Sequence, residues 1–84
     1  MITFRQVRAA RALLGWTQEL LADQALVALT ALKRLESDRL PVRDATREAV
    51  RKALEAAGIV FISSGRREGV MLVREEIKKQ NEKD

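Results

Sequence analysis

Gly15 and Thr17 stand two residues apart inside a stretch that otherwise favours helix, and together they restrict this chain to short helices that must share a core. Glycine reaches the left-handed conformation that ends many helices, and threonine two positions later is a good N-cap for the next one. Upstream, Thr3 and Gln6 have the spacing of a capping box, so a first helix is expected from Phe4 to Leu14, with Phe4, Val7, Ala10, Leu13 and Leu14 recurring at helical intervals. Downstream, a second helix runs from Gln18 to about Ala25 and buries Leu21, Ala22 and Ala25, with Trp16 stapling its entry.

A third helix, roughly Leu29 to Glu36, turns Leu32 and Leu35 inward and is followed by Ser37 and Asp38. Leu40-Pro41 interrupts the chain, and Asp44 or Thr46 caps a fourth helix through Ala57, with Val50, Ala53, Leu54 and Ala57 on one face and Gly58 as its stop. The pattern then changes from helical to β-prone. Ile59-Val60-Phe61-Ile62 and Val70-Met71-Leu72-Val73 predict a hairpin around a polar loop from Ser63 to Gly69. Each strand is apolar at consecutive positions, so both faces want cover: one against the helices, the other against a second copy. Residues 74–84 form a charged tail. The organisation expected is a helical domain over 1–58, a hairpin over 59–73 that serves dimerisation, and the tail over 74–84.

What the chain lacks narrows its chemistry. With 84 residues it supports one domain, and without Cys or His it has no disulfide framework, no thiolate or imidazole metal ligands and no histidine base. No metal site, cofactor or enzymatic activity is expected. "SSGRREG" lacks the Gly-Lys-Ser/Thr ending of a phosphate-binding P-loop, and the acidic pair Glu75-Glu76 falls in the charged tail, where no pocket is expected. No stretch approaches the length of a membrane span, so a cytoplasmic setting without membrane contact is expected. The whole net charge of +4 falls within residues 1–52, which favours a polyanionic partner for the helical part.

"ARALLGWTQELLA", followed by Val27, Leu32, Leu35-Glu36, Pro41 and "ALEAAGIVFI", resembles the XRE family of Cro-type helix-turn-helix regulators over about residues 4 to 62, and "GVMLV" is similar to the C-terminal strand of one bacterial branch. The resemblance implies a mainly α, lambda-repressor-like bundle of four or five helices with a short C-terminal β-hairpin. It also implies transcription regulation, with repression the simplest mode, by a homodimer bound to a near-palindromic operator in double-stranded DNA, as in proteins of phage and other mobile elements. Carried over position by position, Leu29, Thr30, Lys33 and Arg34 would read bases: Arg34 bidentate to guanine, Lys33 to guanine or a phosphate, Leu29 to a thymine methyl. Thr17 and Gln18 at the start of the second helix, with Arg39 and Arg43 after the third, would hold phosphates, and Arg5 and Arg8 would add weaker contacts. Arg11 and Glu36 would form a structural ion pair. In the hairpin, Ile59, Phe61, Val70 and Leu72 are the expected dimerisation residues.

Two positions depart from the family pattern. Leu26 stands where the turn usually has Gly, and Ala28 replaces the usual Ser cap of the third helix. A left-handed Leu costs about 1 kcal/mol or more relative to Gly, and the missing cap roughly 0.5 to 2 kcal/mol. The preferred placement puts Leu26 and Val27 in the core and only Leu29 outside. The extreme alternative is one unbroken helix from Gln18 to Glu36. If Leu26 and Leu29 are exposed, the domain acquires an apolar surface for a possible protein partner, as an antiactivator or antirepressor has, or as an antitoxin combines with DNA binding.

Overall fold

The structure is a computed structural model that describes residues 1–38 and 41–74. The chain forms four helices and one antiparallel hairpin: α1 (Phe4–Leu14), α2 (Gln18–Ala25), α3 (Leu29–Ser37), α4 (Asp44–Ala56), β1 (Ile59–Ser64) and β2 (Arg67–Leu72). It is mainly helical. Beyond Arg74 the expected charged tail, like Arg39 and Leu40, lies outside the described residues.

Local chemistry explains where the first two helices begin and end. The Thr3 hydroxyl accepts from the Gln6 backbone N–H at 3.2 Å, and the Gln6 amide oxygen accepts from the Thr3 backbone N–H at 3.0 Å, completing the capping box. The Thr17 hydroxyl accepts from the Leu20 N–H at 3.0 Å. Both helices close with the same pair of backbone bonds. Trp16 donates to the Arg11 carbonyl and Gly15 to Ala12; Val27 donates to Ala22 and Leu26 to Asp23. This is the Schellman arrangement, which needs a left-handed residue at its apex. Gly15 supplies it at φ 70° and Leu26 at φ 59°, so the turn is kept and the unbroken-helix alternative falls away.

α3 ends on Asp38, also left-handed at φ 56°, and extends one residue beyond the expected Glu36. α4 starts from Arg43, whose side chain makes no capping bond, so neither Asp44 nor Thr46 is the cap. Asp44 instead occupies the first turn, where its carboxylate faces the positive end of the helix dipole. The core is built from Val7 and Ala10 of α1, Leu21, Ala22 and Ala25 of α2, Leu32 and Leu35 of α3, and Val50 and Leu54 of α4, closed by Ile2 and Ile59. Among the described residues no helix is long and apolar enough to cross a membrane.

The hairpin is longer than its apolar runs. Ser63 pairs with Glu68 and Ser64 with Arg67, leaving only Gly65 and Arg66 in the turn, where a loop from Ser63 to Gly69 was expected. Ile59 pairs with Leu72 and Phe61 with Val70, and this face lies on the core. At its start Gly58 cannot be replaced cheaply: it sits at φ +104°, and a Cβ there would meet the Val73 carbonyl oxygen at 2.6 Å.

Two contacts tie the ribbon to α1. The buried Gln6 side chain donates to the carbonyls of Ile62 and Gly69, both at 2.9 Å, so one amide serves the helix cap and both strands. On the surface Arg5 grips the Glu68 carboxylate at 2.8 and 3.0 Å while the Thr3 hydroxyl donates to it at 2.9 Å. Hydrogen bonds from Arg5, then from Thr3, hold the Glu68 carboxyl below its ordinary value of 4.5. A carboxyl depressed by folding stabilises the fold above its unfolded value and loses that contribution as pH falls through the folded one. Thermal melts from pH 7 down to pH 3 are therefore expected to show Glu68→Gln less acid-sensitive than the parent protein; identical acid limbs would contradict the tether.

Candidate nucleic-acid interface

The orientation of α3 is set from behind by a half-buried polar cluster. Arg11 donates through Nε to Glu36 Oε2 at 2.7 Å and through Nη2 to Oε1 at 2.9 Å, while its Nη1 reaches the Trp16 carbonyl at 3.0 Å. The Arg11–Glu36 pair is thus bidentate, and Glu36 is 5% exposed. Gln18 completes the cluster by donating from Nε2 to Glu36 Oε1 at 3.1 Å. Three helices meet on one carboxylate. The hydrogen bonds it donates to Glu36 raise the pKa of Arg11, against an opposing effect of burial.

Gln18, expected to hold a phosphate, is half-buried and gives one amide N–H to Glu36, so it also has a structural part, while its second N–H has no partner among the described residues. Thr17 is exposed; its oxygen caps α2, and its hydroxyl proton remains free to donate to an outside oxygen.

Away from the buried Leu32 and Leu35, Thr30, Lys33 and Arg34 are exposed and share one face of α3 through their three- and four-residue spacing. Leu29 is half-buried against the core, so the expectation that it stands outside is corrected. Arg43 is exposed at the start of α4 and lines the same groove as Arg34. Arg39 lies outside the described residues.

The basic side chains divide by what they touch. Arg5 is held by Glu68, Arg51 by Glu48 and Glu55, and Arg47 donates to the Ile2 carbonyl at 2.9 Å. These contacts serve the fold, and a phosphate at Arg5 would have to compete with Glu68. Lys33, Arg34 and Arg43 form no ion pair with a described residue. No group of three or more potential metal ligands is brought together among the described residues.

The turn also differs from expectation. Leu26 is 91% exposed, whereas it was expected in the core; Val27 packs there half-buried. The Val27–Ala22 backbone bond folds the chain back so that Val27 lands on the core side and Leu26 stands at the apex. Leu26 therefore carries the strain of a left-handed β-carbon, roughly 1–2 kcal/mol, with almost none of its side chain buried in return.

The hairpin needs a parallel correction. Ile59, Phe61, Val70 and Leu72, expected to join two copies, pack into the chain's own core. By strand alternation the outward face carries Val60, Ile62 and Met71, with Val60 42% and Met71 49% exposed. The sequence marks Gln6 only as a cap, because its spacing to Thr3 is local while its partners Ile62 and Gly69 lie more than fifty residues away.

No family model matches the chain, and no curated protein matches it.

Proposed function

We propose that this chain is a sequence-specific DNA-binding regulator of the XRE, lambda-repressor-like type, a repressor in its simplest mode, acting from the cytoplasm as a homodimer. The observation that carries this reading is the outward row of Thr30, Lys33 and Arg34 on a helix whose back is fixed by Arg11, Glu36 and Gln18. A short helix presenting such a row fits the major groove, with Arg34 placed for guanine and Thr17 and Arg43 flanking it for the backbone. The second copy joins across the outer hairpin face, and the two α3 helices then meet half-sites about one helical turn apart, or a multiple of it.

Selection of bound fragments from random duplexes tests the reading, because it reports binding and half-site spacing together. On the selected site Arg34→Ala is expected to weaken binding by roughly 1–3 kcal/mol and relax one base position, whereas Arg43→Ala weakens every sequence alike. Equal losses on all sequences for both variants would remove Arg34 from base reading. For the dimer, sedimentation at tens of micromolar is expected to show two copies for the parent chain and one for Met71→Glu, whose side chain is exposed and outside the core. A parent chain that sediments as a monomer contradicts that assembly.

A further inference from the structure

Between the α2–α3 turn and the start of α4 lies a groove of about 450 Å³ that includes Leu26 at its edge. Its apolar lining comes from Leu26, Val27, Ala31 and Val42, and Arg34 and Arg43 line it as well. Two uncapped helix starts adjoin it: Ala28 and Arg43 are the N-caps of α3 and α4, and neither side chain makes a capping bond. The groove therefore combines an apolar lining, two guanidinium groups and the positive ends of two helices. Its volume lies within the range of pockets that receive a ligand or an anchoring side chain.

We propose that this groove docks an acidic protein segment carrying one large apolar side chain, which seats against Leu26 and Val42 while flanking carboxylates meet Arg34 and Arg43. The apolar residue at the edge decides between a protein and a nucleic acid. A phosphate chain satisfies the arginines but gains nothing from an exposed Leu. Leu26 is held left-handed and in solvent, where Gly would sit without strain, so the isolated domain draws no benefit from it. A partner that covers it does. The proposal develops the protein-binding use that the apolar turn leaves open, and it assigns Leu29 no part, since that side chain packs against the core. Because Arg34 and Arg43 are also proposed for duplex contacts, an occupied groove and bound DNA exclude each other; this consequence alone rests on the DNA-binding reading.

The test uses the full chain and a fluorescein-labelled peptide of about twelve residues, Asp- and Glu-rich around a central Leu-Phe pair. Anisotropy is expected to show binding that falls about tenfold to a hundredfold with Leu26→Gly, the loss for one leucyl side chain left uncovered. The same loss is expected when Leu-Phe in the peptide becomes Asn-Asn at unchanged charge. Leu26→Gly relieves backbone strain, so its melting temperature should not fall and misfolding cannot imitate the result. A duplex DNA titration at low salt runs in parallel, where Leu26→Gly should bind as the parent does. Peptide binding that is absent up to millimolar concentration, or unchanged by Leu26→Gly, or equal for the Asn-Asn peptide, overturns the docking proposal. Peptide binding that depends on Leu26, with no duplex binding, sustains the groove and overturns the DNA-binding reading. Duplex binding without peptide binding does the reverse.

Discussion

Glu36→Ala is expected to destabilise the protein by about 3–5 kcal/mol, a large share of what holds it folded. The substitution removes the acceptor for Arg11 and Gln18 together, stranding a guanidinium that is 22% exposed between three helices. Breaking a buried pair by deleting one partner costs about 3–5 kcal/mol, because the remaining charge is desolvated without compensation. At roughly 0.05–0.15 kcal/mol per residue, a chain of 84 residues has about 4–13 kcal/mol in all, so one carboxylate carries a large share. Urea denaturation followed by circular dichroism measures the loss. Converting both partners, Arg11→Met with Glu36→Leu, should recover much of it, since the penalty belongs to the orphaned charge and apolar groups can fill the space. A single-variant loss under about 1 kcal/mol, the range of an exposed pair, would contradict the burial of this cluster.

Affinity for duplex DNA should depend steeply on salt. If the dimer neutralises on the order of six phosphates, log affinity falls against log salt with a slope near −5, about a thousandfold between ~50 and ~200 mM. The net charge of +4 within residues 1–52, and the exposed Lys33, Arg34 and Arg43, motivate that figure. Arg43→Ala should make the slope shallower by about 1 for each phosphate it no longer neutralises. Filter binding or anisotropy across a salt series reads both numbers. A slope shallower than about −2 would mean that phosphates are hardly engaged, and the proposed docking of α3 would fail with it.

The features legible in the sequence were those fixed within a few residues. Thr3 with Gln6, Gly15 and Thr17 act over three or four positions, and the bounds of α1 and α2 coincide with what those residues imply. Lys33 and Arg34 could be placed outward for the same reason, because Leu32 and Leu35 fix the opposite face of one short helix. The polar ends of the strands misled, since Ser63, Ser64, Arg67 and Glu68 suggest a loop, yet solvent-facing pairs can extend a ribbon beyond its apolar part. The two apolar faces of the hairpin look alike in sequence; only the register separates Phe61 and Val70 from Val60 and Met71. The inward bond of Gln18 and the exposure of Leu26 were illegible for a shared cause. Each residue has its place decided by a distant or reversed partner, Glu36 for one and the Val27–Ala22 bond for the other, and neither partnership follows from composition.

The amide of Gln6 makes a two-stranded ribbon, which would barely hold together alone in water, part of the same cooperative unit as the bundle. Because the donor belongs to the opening turn of α1 and the acceptors to Ile62 and Gly69, the ribbon cannot peel away without breaking both bonds to that turn. Amide protons of both segments should therefore exchange through one shared opening event, and any assembly built on the outer strands is coupled mechanically to the first helix.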